Sequence, residues 1–138
     1  VADDPDIPDL WQAARNALYD ALAAVITPDI ALVRQSVDEN TPLPVVLIGD
    51  LDGSPAGGKG ETADKLTIDV QVTYRGPDRS GLLAIMWKVR QALDNKEIAA
   101  DGVNFPTTPT WLNGDTATMD DGVTRVGIHQ YEVQVEPA

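Results

Sequence analysis

Cysteine is absent from the 138 residues, and histidine and phenylalanine occur once each. Without thiols there is neither a disulfide framework nor a thiolate metal site. A single histidine, His129, excludes the HExxH zinc motif and every multi-histidine centre. A Ser-His-Asp triad would have to use that same His129 with Ser36, Ser54 or Ser80, and no nucleophile-elbow sequence surrounds any of these serines. Basic residues are also scarce, ten Lys and Arg against 22 Asp and Glu, for a net charge of −12. A surface of that sign repels nucleic-acid phosphates; it serves plain solubility, or a surface past which DNA slides without sticking. No apolar run approaches the roughly 20 residues that cross a bilayer. The acidic stretch Val1 to Asp6 lacks the basic-then-apolar order of a secretory signal. The expectation is a soluble, intracellular, non-enzymatic chain with no cofactor and no metal, of a length that suits one domain.

Two near-motifs fail in context. Gly53-Ser54-Pro55-Ala56-Gly57-Gly58-Lys59-Gly60 almost spells the phosphate loop GxxxxGK[ST], but Gly60 offers no hydroxyl to Mg²⁺. The residues after it alternate as a strand, so no helix N-terminus is present to hold phosphates. Asp50, Asp52 and Gly53 hint at a calcium loop; Glu61 occupies the twelfth position, but Pro55 stands where the sixth requires glycine.

Periodicity supplies the elements. Leu10, Trp11, Ala14, Ala17, Leu18, Ala21, Leu22 and Val25 recur at helical spacing, with Asp6 as the expected cap and Thr27-Pro28 as the stop. A short helical turn is expected from Asp29 to Val33. Val45 to Ile48 read as a strand covered on both faces, and Asp50 to Ala63, rich in Gly, Asp, Ser and Pro, as a mobile loop. Leu66, Ile68, Val70, Val72 and Tyr74 alternate with polar residues, which predicts a strand with one buried face. Asp78 or Ser80 can cap a second helix whose apolar face is Leu82, Leu83, Ile85, Met86, Val89, Ala92 and Leu93. Thr107 to Met119 reads as a strand, Asp120-Asp121-Gly122 as a turn, and Val123 to Val135 as the last strand. In that strand Val126 and Ile128 have one parity and Tyr131, Val133 and Val135 the other, so a bulge near His129 or a slip in register is expected. Trp11 and Trp87, being on helices, are expected in the core, whereas Trp111 in its polar strand is a candidate partner anchor. The predicted class is α+β: a mostly antiparallel sheet of about four strands with two main helices on one face.

Taken in order, an amphipathic N-terminal helix, Thr41-Pro42-Leu43-Pro44-Val45-Val46-Leu47-Ile48-Gly49, a Gly-rich loop, the strand Leu66 to Tyr74 and the helix Leu82 to Leu93 form a pattern. It closes with Asp120-Asp121-Gly122-Val123-Thr124-Arg125 and Tyr131 to Glu136. The whole resembles the tail terminator, or tail completion, proteins of long-tailed bacteriophages and gene-transfer particles, over nearly the entire chain. The resemblance implies a non-enzymatic virion protein, made in the host cytoplasm and sited at the head-proximal end of the tail. Six copies would form a ring that ends tail-tube polymerisation and joins tail to head, with DNA passing through the lumen unbound. Implied partners are further copies of the chain, the tail-tube protein and a head-tail connector or stopper; no membrane is involved. Candidate interface residues are Asp50, Asp52, Lys59, Glu61 and Asp64 in and beside the Gly-rich loop, and Trp111, Asn113, Asp120 and Asp121 in the C-terminal half. Alternative readings are another neck or tail-tube ring protein, or a small monomeric module that binds through the Gly-rich loop. Residues 1–6 are expected to be flexible.

Overall fold

The alternation from Leu66 to Tyr74 builds the middle of the molecule. In the computed structural model, which describes residues 9–57 and 62–138, Asp64–Arg75 is a strand (β3) with Leu66, Ile68, Val70 and Val72 fully buried. It is hydrogen-bonded on both sides by antiparallel neighbours, Val45–Pro55 (β2) and Thr124–Pro137 (β6). A strand flanked twice satisfies its backbone groups in ladders. Leu32–Arg34 (β1) adds parallel to the start of β2. Thr110–Thr118 (β5) lies antiparallel along β6, and Val103–Asn104 (β4) pairs the far end of β6. The result is one six-stranded, mixed sheet, α+β in class as the periodicity predicted but with two strands more than expected.

Two helices, Leu10–Val25 (α1) and Ser80–Leu93 (α2), cover one face of this sheet. Leu10, Ala14, Leu18 and Leu22 of α1 and Leu82, Ile85, Met86, Val89 and Leu93 of α2 meet the buried residues of β3 and β6 in a single core. α1 touches β1, β2 and β6, while α2 touches β3 and β6. Two glycines permit the close approach. A Cβ at Gly53 would run into the Trp11 ring, and one at Gly127 into the Met86 thioether. Such bare backbone spots let a helix side chain rest directly on the sheet.

Several expectations are corrected. Asp9, not Asp6, caps α1, its carboxylate accepting from Gln12 N at 3.0 Å; Asp6 itself lies outside the described residues. The segment Asp29 to Val33 does not form a helical turn through its length but ends in β1, because pairing with Val45–Leu47 satisfies its backbone. Asp50 to Pro55, expected in the loop, continue β2 to Pro55 across a register shift between Ile48 and Leu51. That extra residue preserves inward parity beyond Gly49. The connection shrinks to the hairpin tip, closed by Ala56 N to Ala63 O at 2.9 Å. β6 itself has no bulge near His129; the irregularity lies on its neighbour β5, where Leu112 is the extra residue between Trp111, opposite Tyr131, and Asn113, opposite Gln130. β6 pairs β3 without a break, Val70 opposite His129 and Ile68 opposite Tyr131, and Gly127, His129, Tyr131, Val133 and Val135 alternate inward. Val126 and Ile128 simply belong to the uncovered face, so their apolar character misled the parity argument. Neither Ser80 nor Asp78 caps α2 at its N-cap position, which is Arg79; the Asp78 carboxylate accepts from Ser80 N just before the helix.

Candidate functional site

Tryptophan placement inverts the expectation from sequence. Trp111, on β5, is half-buried beneath α2. Its indole N–H donates to His129 Nδ1 at 2.9 Å, its backbone N–H donates to the Asp94 carboxylate at 3.2 Å, and the Arg90 guanidinium lies 3.8 Å from its ring centroid. Its polar handle and its π face are therefore already used within the chain. Trp87 is 60% exposed and Trp11 40% exposed. Neither lies in the core as their helical positions suggested.

The reason lies in the angular positions on α2. Leu82, Ile85, Met86, Val89 and Leu93 form the inward stripe; Leu83 and Trp87, four residues apart, fall together outside it. Leu83, expected on the apolar face, is 50% exposed. With exposed Ala84 between them, they make a short apolar strip where a surface helix normally carries polar residues, and the polar Gln91 one turn on bounds it. The four-residue spacing of Leu83 and Trp87, offset from the main stripe, was the sequence signal that could have found it.

His129 is 6% exposed and buttressed on both ring nitrogens. A carbonyl can only accept, so Nε2–H donates to Met86 O at 3.0 Å and Nδ1 accepts from Trp111. The ring is neutral in this arrangement. Burial holds its pKa below the ordinary value, with the Met86 carbonyl opposing and the Arg90 charge assisting. Tyr131 beside it, ring centroids 6.0 Å apart, has its phenol pKa pushed up by burial and by Asp94, with Arg90 opposing. This is a supporting cluster beneath α2 that sets the orientation of β5 and α2.

The helix-free face has different chemistry. Register places Asp52, Thr67, Glu132 and Thr110 in one row, and Asp69, Gln130 and Asn113 in the next. Asn113 Nδ2 donates to Gln130 Oε1 at 3.0 Å, and Gln130 Nε2 donates to Asp69 at 2.9 Å. Asp115 and Ile128 sit in the following row. The only ion pair between strands across this face among the described residues, other than that of Arg75 at the turn end, is Lys65 with Glu132 at 3.9 Å.

Of the candidate interface residues, Asp50 and Asp52 are exposed on β2, and Asn113 joins the amide row just described. Asp64 accepts the Trp11 indole N–H at 2.8 Å, tying α1 to the hairpin. Asp120 is exposed in the turn before β6. Asp121 is engaged locally, accepting from Thr124 Oγ1 at 2.5 Å, Thr124 N at 2.7 Å and Val123 N at 2.9 Å, with Arg75 3.6 Å away. Those bonds, the Thr124 hydroxyl first, draw its pKa to about 2. Lys59 and Glu61 lie outside the described residues. The structure does not gather the described ones among these positions into one patch; they are spread over β2 and the start of β3, the open face and the turn. Among the described residues no group of three or more His, Asp or Glu is placed to hold a metal ion, and the strand geometry of Asp50–Pro55 departs from a calcium loop. Among the described residues no helix is long and apolar enough to cross a membrane.

Comparisons with known proteins agree with one another. Residues 13–136 match the family model "Tail completion protein gp17". The tail completion protein gp17 of Bacillus phage SPP1 is 30% identical over 124 residues, spanning 86% of this chain and 91% of that protein. The solved structure of SPP1 gp17 superposes with a TM-score of 0.55 at 26% identity, covering 89% of this chain and 91% of that one. A chain of the virion of a native gene transfer agent particle superposes more closely in fold, with a TM-score of 0.79 at 18% identity over 93% of this chain and 98% of that one. With a match that runs through every element from α1 to β6, the chain belongs to the tail completion protein gp17 family, a family of structural phage tail proteins and not of enzymes.

Proposed function

We propose that the chain acts as a closed ring of copies at the head-proximal end of the tail, where it ends tube polymerisation, receives the head connector and lets DNA pass through its lumen. The observation that carries this reading is the uncovered sheet face, where Asp52, Asp69, Asp115 and Glu132 stand among Thr67, Gln71, Gln130 and Asn113. Asn113, Gln130 and Asp69 are hydrogen-bonded in a row and Glu132 pairs with Lys65, while the remaining polar groups suit contact with water, so the face needs no protein layer over it, and its charge repels phosphates. A lumen wall requires both properties. The sheet also has two unlike edges, β1 on one side and β5 with β4 on the other. A subunit with unlike flanks makes heterologous contacts, and these close into a ring when the rotation between copies closes. Closure limits growth: a ring that exposes no further copy of its own docking surface adds no second layer and stops the tube beneath it.

Absolute mass by light scattering, with negative-stain images of the largest species, tests the reading. Rings of about six copies, and tubes that cease to lengthen when the protein is added to polymerising tail-tube protein, are the expected results. A chain that stays monomeric even when tube ends are supplied, or one that grows open filaments by itself, would sink it.

A further inference from the structure

The apolar strip on α2 sits at the centre of a locally basic region of an acidic protein. From Arg75 to Lys96 the sequence carries five basic residues (Arg75, Arg79, Lys88, Arg90 and Lys96) against Asp78 and Asp94, a net charge of +3. From Asp9 to Gly57, the stretch that forms α1, β1 and β2, seven acidic residues face only Arg15 and Arg34, a net charge of −5. The helices pack against each other over the middle strands, but their flanks reach opposite edges of the sheet. α2 packs on β3 and β6 and its side chains reach β5, with Arg90 over Trp111 and Arg79 bonded to Thr118 at 3.4 Å, whereas β1 and the connection that follows it lie at the other edge.

The acidic end carries an apolar pair of its own. In the connection between β1 and β2, Val37 is 43% exposed and Leu43 40% exposed, and Asp38 and Glu39 stand beside them. Asp38 shapes the turn by accepting from Asn40 N at 2.9 Å, and Gln35 anchors the connection to α1 through Asn16 at 3.0 Å and through its carbonyl to Arg15. Among the described residues, Asp38, Glu39, Arg79, Lys88 and Lys96 form no ion pair within the chain. Each end is thus an apolar centre rimmed by unpaired charge, and the two rims have opposite signs.

We infer that the Leu83–Trp87 strip of one copy docks on the Val37–Leu43 connection of the next, and that this is the heterologous contact of the ring; the inference rests on the ring reading above. Trp87 is the anchor, a large apolar side chain that becomes desolvated at the centre of the contact, as interface hot spots are. The flanking bases meet Asp38 and Glu39 of the neighbour, which sets the direction of docking. Two like ends repel or leave charge unpaired, so head-to-head pairing is disfavoured and head-to-tail closure is selected.

Because the native chain has no cysteine, single thiols report the contact without background. Gln91→Cys places one on the outer face of α2, and Asn40→Cys places one on the connection; both positions are exposed. With a short bismaleimide, each variant alone should remain uncrosslinked, an equimolar mixture should give a dimer of unlike chains, and the double variant should give a ladder that ends at the closed ring. Trp87→Glu added to the double variant should cut the yield about 30-fold or more, with an unchanged far-UV circular dichroism spectrum showing that the fold is intact. Self-crosslinking of Gln91→Cys alone would replace the inference with a two-fold contact between α2 faces. Rings seen by light scattering without crosslinks would overturn this interface while leaving the ring reading in place. A chain that neither assembles nor crosslinks at any concentration would overturn both.

Discussion

His129 holds one proton between a carbonyl acceptor and an indole donor, and a second proton on Nδ1 would face the Trp111 N–H. The unfolded chain takes up that proton as pH falls through about 6.5, while the folded chain, its histidine pKa depressed by burial, does so only at lower pH. Folding stability therefore declines as pH drops below about 6.5 and stops declining from this cause once the folded histidine also protonates. Urea melts at about pH 7.5 and pH 5.5 should show a lower midpoint at the acid value, and equal midpoints would count against the assignment. Next to it, the Tyr131 hydroxyl is buried and makes no hydrogen bond among the described residues. Tyr131→Phe should leave the melting temperature unchanged or raise it, because the phenol loses solvation on folding without regaining a partner. A fall of several degrees would mean that the hydroxyl is bonded. Gly127 is a third site of this scale. Gly127→Val would drive Cβ and its methyls into the Met86 thioether and cost about 1–3 kcal/mol by chemical denaturation. Neither of the last two effects is legible in sequence, since burial of the Tyr131 hydroxyl and the contact of Gly127 with Met86 both arise only when distant segments pack together.

Among the elements, those with an unbroken period were read correctly: α1, α2 and β3 appear where the apolar spacing placed them. β2 was not read past Ile48, because Gly, Asp, Ser and Pro are turn formers by local preference. Pairing with the well-formed first half of β3 overrides that preference, and Trp11 resting on Gly53 adds burial that no local pattern encodes. The two-residue β4 and the three-residue β1 are too short for any period to register. The hairpin tip now spans only the residues between Pro55 and Asp64, so its loss should not disturb the sheet. Deleting Ala56 to Glu61 is expected to leave the melting temperature within a few degrees of the parent while impairing docking to the tail tube; infectious tails of normal length from this variant would refute the second part.

At the scale of the whole molecule, net charge and surface arrangement act together. A chain of −12 whose uncovered sheet face is lined with carboxylates should give no gel shift with double-stranded DNA at about 10 mM salt, where screening is weakest and a basic surface would bind most tightly. Retention of DNA there would remove the reading of that face as a lumen wall. What the sequence by itself determined is the class of fold, the absence of thiol and multi-histidine chemistry, the sign of the surface and the resemblance that the family comparison bears out. These depend on residue types and on short-range periodicity, which are complete in one dimension. Which tryptophan is packed and which is exposed, where the bases gather against the acids, and which sheet face stays open were decided only in three dimensions. A helix of 14 residues has three or four stripes, and only the position of its neighbours settles which of them meets the core and which is left for a partner.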